Sequence, residues 1–178
     1  YILMMIISIS VSFALTWIFG YKDEEPQAQN VPDTTIMEKE AIIEEAALEN
    51  VEKVIYAPIQ GNVVPRENIP DETFASGVLG DGVGIEPETG EVVAPFDGEI
   101  SSVTETRHAI GITGPAGMEL LIHVGVDTVK MNGDGFIVLV SEGDKVKAGQ
   151  KLMTFDISKI KVAGYSTTSA ILLTNSDD

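Results

Sequence analysis

The 178-residue chain contains no cysteine and only two histidines, His108 and His123. Without cysteine, this chain has no thiol nucleophile, disulfide bond or cysteine-ligated zinc site. Two imidazoles likewise exclude a three-histidine metal site within one chain. Basic side chains are scarce, with 11 Lys and Arg against 28 Asp and Glu, which gives a net charge of −17. Because so acidic a chain repels phosphate backbones, we expect no nucleic-acid partner.

An uncharged, largely apolar stretch occupies residues 1–20. About 20 such residues in a helix span the roughly 30 Å hydrocarbon core of a bilayer. Aromatic side chains close to Lys22 suit the membrane interface that follows. The stretch lacks the basic flank and the small-residue cleavage pattern of a signal peptide. We therefore predict a transmembrane helix over residues 1–21, the last spanning helix of a longer membrane protein, with a lone N-terminal anchor as the alternative.

Acidic side chains dominate residues 22–52, where ten Asp and Glu stand against two Lys. The first half of this segment has few apolar residues to bury, which predicts a flexible tether. In the second half, Thr35 and Glu38 form a capping-box pattern ahead of apolar residues at helical spacing. We expect an acidic linker that contains a short amphipathic helix at about residues 36–50.

From Lys53 onward, short β-type runs alternate with turns rich in Gly, Pro, Asp and Asn. This pattern is typical of an all-β sandwich or barrel, and the segment is long enough for one buried core. We therefore predict one antiparallel domain over residues 53–178. Ala57-Pro58-x-x-Gly61 is echoed by Ala94-Pro95-x-x-Gly98, which suggests two related β units facing each other. The predicted strands are 54–57, 61–65, 82–87, 91–94, 98–104, 109–113, 119–124, 135–140, 151–156 and 169–174.

His123 is the most informative residue of the domain, because it interrupts an apolar strand and is followed by Gly125 and Asp127. A histidine on a half-apolar strand is more often structural than functional. Here Gly125 permits the close approach of a backbone or a ligand, and Asp127 can accept a hydrogen bond. His108 begins the preceding strand, and a glycine-rich turn between the strands brings it nearly opposite His123. We expect the two imidazoles to face each other.

Two facing imidazoles are compatible with three kinds of site. The first is a phosphohistidine site, in which a nitrogen of one ring attacks a phosphoryl group and the other ring donates a hydrogen bond to the phosphoryl oxygens. The second is a metal site in which the two imidazoles are ligands, and the third is a purely structural pair. The residues alone leave all three open. The sequence contains no glycine-rich phosphate loop with its Lys, so no cradle for a nucleotide phosphate is visible.

The order of motifs around the histidines resembles that of a known family. The family is the glucose-type A component, or enzyme IIA, of the bacterial phosphoenolpyruvate-dependent sugar phosphotransferase system. It implies an all-β fold of the duplicated hybrid motif type over about residues 53–178. The short motifs 163–165 and 174–175 are similar to those of β-glucoside, sucrose and trehalose permeases. The matching segments around the histidines are His108-Ala-Ile-Gly-Ile, Leu120-Leu-Ile-His-Val-Gly-Val-Asp-Thr-Val129 and Asn132-Gly-Asp-Gly-Phe136. The match extends upstream through Pro70–Gly77 and Ala94–Gly98 and downstream through Glu142–Gln150.

The resemblance implies a role for each residue of the pair. His123 receives the phosphoryl group from phospho-HPr and passes it to a Cys of a B domain. His108 holds the transferred phosphoryl oxygens, and Thr106 bonds to His108 and fixes its tautomer. No cofactor or metal is implied.

The resemblance also implies partners and a location. Asp71 and Asp127 meet arginines of HPr, while Phe74, Val78 and Gly125 belong to the docking face. The other partners are the B domain of the same permease and a sugar bound by its membrane domain, and the family permits a homodimer. The chain is then part of a bacterial cell membrane protein whose A domain faces the cytoplasm.

Two other classes of protein share parts of these motifs. A zinc-dependent hydrolase of the LytM type would need His108, His123 and Asp127 together as ligands. A biotinyl-like or lipoyl-like carrier would need a lysine at the tip of a hairpin, and Lys130 lacks the usual Met-Lys-Met context.

Overall fold

The computed structural model describes residues 54–176 of the chain. The predicted transmembrane helix over residues 1–21 and the acidic linker over residues 22–52 lie outside the described residues. Within residues 54–176, no helix has the length and apolar character needed to cross a bilayer.

The described residues form two antiparallel sheets and a few short helices. The larger sheet has seven strands and the smaller has three. The predicted antiparallel β architecture is therefore confirmed in its main feature. The elements are β1 (Gly61–Pro65), α1 (Glu72–Ala75), β2 (Asp81–Pro87), β3 (Glu91–Val93), β4 (Gly98–Val103), β5 (Ala109–Thr113), β6 (Glu119–His123), β7 (Phe136–Val138), β8 (Lys145–Val146), β9 (Lys151–Phe155), α2 (Ile157–Val162) and β10 (Ser169–Leu173), with 3₁₀ helices at Arg66–Asn68, Pro115–Gly117 and Thr128–Met131. The strand order is β1-β2-β10-β6-β5-β4-β8 in the larger sheet and β3-β9-β7 in the smaller.

Side-chain alternation along the central strands gives the large sheet two buried faces. Ile122 of β6 and Ile171 of β10 belong to the main core, which also takes in apolar side chains of the small sheet. Leu121 is adjacent to Ile122 in sequence, and Leu172 is adjacent to Ile171, so both leucines lie on the opposite face of the sheet, in a second apolar cluster. His123 follows Leu121 by two residues and so lies on the face of this second cluster. The cluster consists of Ile69, Phe74, Val126, Ala170 and Leu172, with Leu121 packed against it.

The two echoed Ala-Pro segments lie beside each other. Tyr56 N donates to Pro95 O at 3.0 Å, and Val93 N donates to Pro58 O at 2.8 Å. Because these pairs run in opposite directions along the chain, the segments are antiparallel. The two segments are therefore neighbours, while the strands that follow them, β1 and β4, lie in the same large sheet with four strands between them.

Several predicted elements need correction. Residues 54–57 are not a strand, although their composition is β-like, because Pro58 cuts the run short and their hydrogen bonding is that of an irregular segment. Strand β8 and helices α1 and α2 were not predicted, since two to six residues are too few to show a periodicity. The other predicted strands agree with the structure to within two residues at each end.

Candidate functional site

The two imidazoles lie side by side at the ends of neighbouring strands. Ala109 pairs with His123 in the β5–β6 ladder, and Val124 N donates to His108 O at 2.8 Å. The ring centroids of His108 and His123 are 4.6 Å apart, with the rings nearly perpendicular at 78°. The predicted proximity of the pair is confirmed, with the register displaced by one residue.

A backbone carbonyl fixes the tautomer of His123. Its Nδ1 lies 2.8 Å from the carbonyl oxygen of Gly125. A carbonyl can only accept a hydrogen bond, so in the neutral ring the proton resides on Nδ1. The Nε2 atom then carries a lone pair and is the nucleophilic nitrogen of this histidine.

The close approach predicted at Gly125 involves the protein's own atoms. Gly125 has φ +71°, in the left-handed region, and a Cβ there would lie 2.6 Å from Thr128 Cγ2 and 2.7 Å from Ser166 O. Both the dihedral angle and the space therefore require glycine. The turn continues through Asp127, which has φ +63°.

His108 is the more buried ring, with 6% of its surface exposed. Its Nδ1 lies 2.7 Å from Thr106 Oγ1 and 3.4 Å from Thr104 Oγ1. Burial, together with the neighbouring charge that His123 would carry, lowers the pKa of His108 to about 4. The ring is therefore neutral near pH 7, and the expected contact with Thr106 is present.

His123 is half-buried, and burial also lowers its pKa. The Gly125 carbonyl and the negative charge of Asp71 act in the opposite direction and favour the protonated ring. Both imidazoles of the pair are consequently uncharged at neutral pH. An uncharged His123 keeps the Nε2 lone pair available.

Helix α1 places an aromatic ring and a carboxylate beside His123. The centroid of the Phe74 ring is 4.8 Å from that of His123. Asp71 caps α1, because its Oδ1 accepts from Thr73 N at 2.9 Å and from Phe74 N at 3.1 Å. Asp71 thus has a structural role in addition to any contact with a partner.

Two of the predicted partner-binding residues lie farther out on the surface. Val78 exposes 74% of its surface. Asp127 is half exposed and forms an ion pair with Lys130 at 2.8 Å. The structure thus gathers Asp71, Phe74, Thr106 and Gly125 around the two rings and leaves Val78 and Asp127 on the surface.

Two buried hydroxyls that hold the turn after His123 were not predicted. Gly125 N donates to Ser169 Oγ at 3.2 Å, and Thr128 Oγ1 donates to Val124 O at 2.5 Å. Thr128 belongs to the motif that follows His123, so its position gave a signal. Ser169 lies 44 residues beyond Gly125, and nothing in the local sequence links the two.

The structure does not favour either alternative class of protein. Among residues 54–176, no three His, Asp or Glu side chains are grouped to hold a metal ion. The zinc site of the hydrolase alternative, built from His108, His123 and Asp127, is therefore not formed. Lys130 lies in the 3₁₀ helix Thr128–Met131 and is paired with Asp127, so it is not the hairpin-tip lysine of a swinging-arm carrier.

Comparison with known proteins agrees with this geometry. The family described as "phosphoenolpyruvate-dependent sugar phosphotransferase system, EIIA 1" matches residues 53–178. The glucose-specific EIIA component of Bacillus cereus is 51% identical over 126 residues, which cover 71% of this chain and 76% of that protein. The solved structure of glucose permease IIA from Mycoplasma capricolum has a TM-score of 0.67 at 36% identity, over 69% of this chain and 80% of the other.

A longer relative matches beyond the β domain. The β-glucoside-specific EIIBCA component of Bacillus subtilis is 37% identical over 173 residues, 97% of this chain. The chain spans only 26% of that relative's length. The site geometry, two imidazoles in contact with an unprotonated nitrogen on one of them, is compatible with this match. Because the family match covers the whole β domain, the chain belongs to the EIIA 1 family and carries a phosphocarrier domain of the phosphoenolpyruvate-dependent sugar phosphotransferase system.

Proposed function

We propose that His123 accepts a phosphoryl group from phospho-HPr on Nε2 and passes it to a Cys of a B domain. The hydrogen bond from Nδ1 to the Gly125 carbonyl carries this proposal, because it leaves Nε2 as the unprotonated nitrogen. The lowered pKa of His123 supports it further, since the ring stays neutral and nucleophilic at the pH of a bacterial cytoplasm.

The transfer is a pair of in-line displacements. In the first, the Nε2 lone pair attacks phosphorus, the bond between phosphorus and the donor imidazole breaks, and its electron pair returns to the donor nitrogen. In the second, a thiolate of the B domain attacks the same phosphorus atom. The bond to His123 then breaks and its electron pair returns to Nε2. The two steps balance without a nucleotide or a metal ion.

His108 serves as the hydrogen-bond donor to the transferred group. If the Thr106 hydroxyl donates to Nδ1 of His108 across the 2.7 Å contact, the ring proton resides on Nε2. That N–H then meets phosphoryl oxygens already held on the neighbouring ring, and a donor placed in this way stabilises the charge of the transition state in which the group leaves His123 for the B domain. With a pKa of about 4, His108 performs this role as a neutral ring.

The surface around His123 is the docking face for both protein partners. Val78 supplies exposed apolar contact area, while the buried ring of Phe74 packs against His123 and the Gly125 carbonyl orients His123 toward this face. Asp71 and Asp127 supply negative charge that suits arginines of HPr. Opposite charges on two partners speed their encounter and set their relative orientation.

The whole protein is proposed to be a membrane-bound sugar permease. Residues 1–21 are its last transmembrane helix, residues 22–52 an acidic linker, and residues 53–178 an A domain in the cytoplasm, with the duplicated hybrid motif fold. The support is the match over 97% of this chain, at 37% identity, to the β-glucoside-specific EIIBCA component of Bacillus subtilis, in whose name the A component follows the C component directly. A B domain and a sugar-binding membrane domain then belong to the same permease, which the family permits to be a homodimer.

The test is the intact mass of the 178-residue chain in detergent micelles after incubation with phosphoenolpyruvate, enzyme I and HPr. We expect the mass of one phosphoryl group, labile in acid, on the wild-type chain and none on His123→Ala. The matched control is His108→Ala, which removes the other imidazole and should still be phosphorylated. A folded wild-type chain that gains no phosphoryl group would overturn the proposal.

A further inference from the structure

The carbonyl that orients His123 belongs to a peptide group that is held from its opposite side. Val126 N donates to Ser166 O at 3.0 Å. All peptide bonds of the described residues are trans, so the Gly125 carbonyl, which shares this peptide group, points the other way, toward His123. The Gly125–Val126 peptide group therefore joins the backbone of Ser166 to Nδ1 of His123.

The preceding peptide group is held by a side chain. Gly125 N donates to Ser169 Oγ at 3.2 Å, and the Ser169 hydroxyl donates its own proton to Thr167 O at 3.0 Å. The second bond directs a lone pair of Oγ at Gly125. Ser169 has no exposed surface, so water cannot take the place of the hydroxyl.

The segment that holds Gly125 is itself anchored to strand β2. Thr167 Oγ1 donates to one oxygen of Glu86 at 2.6 Å, and Thr168 Oγ1 donates to the other at 2.8 Å. Both peptide groups that meet at the Cα of Gly125 are thus fixed by residues 166–169. Glycine is the residue with the greatest backbone freedom, so without these bonds its carbonyl could rotate away from the ring.

We propose that Ser169 is a positioning residue for phosphoryl transfer: its buried hydroxyl fixes the peptide group of Gly125 and so holds His123 in the tautomer that exposes the Nε2 lone pair. The proposal rests on the proposed role of His123 as phosphoryl acceptor. Ser169 touches neither the imidazole nor the phosphoryl group and acts only through Gly125.

The test combines ¹⁵N NMR of the histidine rings with transfer rates, on the 178-residue chain in micelles at about pH 8. Because the chain has only two histidines, selective ¹⁵N-histidine labelling resolves each ring. In the wild type we expect His123 in the single tautomer protonated on Nδ1. In Ser169→Ala we expect both tautomers, and phosphoryl acceptance slowed about fivefold with an unchanged KM for phospho-HPr, which corresponds to the loss of one hydrogen bond.

Three variants separate positioning from folding. Ser169→Thr keeps the hydroxyl and should restore the single tautomer. Ser169→Cys keeps the volume and replaces oxygen with a weak acceptor, so it tests the bond even if Ser169→Ala does not fold. Ser102→Ala removes the hydroxyl of an exposed serine on β4 and should change neither tautomer nor rate.

The outcomes are distinct. A wild-type tautomer and rate in folded Ser169→Ala would overturn the proposal, and so would a slower rate with an unchanged tautomer. Equal behaviour of the Thr, Cys and Ala variants would also show that the hydroxyl is not responsible. A wild-type chain that is never phosphorylated would refute the proposed function, while its His123 spectrum would still show whether Ser169 positions the ring.

Discussion

The two turns that carry the histidines hold their rings in different ways. The turn after β6 presents a backbone carbonyl to Nδ1 of His123, and a carbonyl can only accept. The turn before β5 presents the Thr106 hydroxyl to Nδ1 of His108, and a hydroxyl can donate or accept. The backbone therefore dictates the tautomer of His123, whereas a side chain that can reorient sets that of His108. The ring proposed as the nucleophile is therefore fixed, and the ring proposed as the hydrogen-bond donor is adaptable.

The rings also differ in exposure. His108 is nearly covered by its own domain, while His123 remains half-buried on the outer face of the large sheet. The ring proposed to meet the partners is thus the more accessible one. The covered ring is protected from protonation, which its low pKa reflects.

The largest effect should come from removing the adaptable donor. We expect His108→Ala to accept phosphoryl groups at close to the wild-type rate and to donate them to a B domain about 100-fold more slowly, since one preorganised donor is lost. Rapid-quench assays of each half-reaction measure this. Glu105→Gln, an exposed change in the same turn, is the control. Equal loss of both half-reactions would contradict the division of roles between the rings.

A smaller effect is expected from the hydroxyl that sets the tautomer of His108. Thr106→Val keeps the shape of the side chain and removes its hydrogen bond, which corresponds to about 1 kcal/mol and a fivefold slower donation. Ring ¹⁵N spectra should show mixed tautomers at His108 alone. Thr106→Ser should restore both the rate and the spectrum. Mixed tautomers at His123 in Thr106→Val would show that the two turns are not independent.

The two rings should also differ in their pKa values, and an acid titration should show the low pKa of His108. We expect His108 to titrate at about pH 4, and in His123→Ala its pKa should rise but stay below 6.5, because burial is the larger cause of the shift. Since the unfolded chain binds this proton at a higher pH, His108 contributes stability that is complete above pH 6.5 and is lost as the pH falls toward 4. His108→Gln should therefore unfold less steeply with acid in urea titrations. A variant as acid-sensitive as the wild type would contradict this origin of the shift.

The smallest effect concerns the surface charge near His123. Asp71→Asn keeps the cap of α1, because Asn caps helices as well as Asp does, and Asp127→Asn keeps a residue type that tolerates positive φ. We expect each to raise the KM for phospho-HPr severalfold at low salt and hardly at all at high salt, with unchanged melting temperature. Glu99→Gln, an exposed change on β4, is the control. A salt-independent rise in KM would point to altered packing instead of lost charge.

Local patterns predicted the parts of this site that are close in sequence. The proximity of His108 and His123 could be predicted because β5 and β6 form one hairpin with a short turn. Counting residues outward from that turn predicts the register to within one residue. Gly125 and Asp127 were evident because they follow His123 directly. The Ala-Pro echo likewise indicated two segments that the structure pairs.

The rest depends on contacts between distant residues. Ser169 reaches Gly125 only because β10 inserts beside β6, and no local pattern encodes that neighbour. Helix α1 has four residues, too few for a helical period, although Asp71 is a residue type that favours the N-cap position of a helix. Residues 54–57 have strand-like composition, yet their hydrogen bonding is irregular.

The position of β10 bears on how the domain is made by a ribosome. Strand β10 is the last of the described strands to be synthesised, yet it lies inside the large sheet between β2 and β6. Until it emerges, both of those strands expose an unpaired edge, and Gly125 lacks Ser169. A nascent or prematurely terminated chain therefore has both histidines and the turn after β6, but not the residues near β10 that hold Gly125 and Val126 in place. With Ser169 in the proposed positioning role, competence for phosphoryl transfer is expected only when nearly the whole domain has been translated.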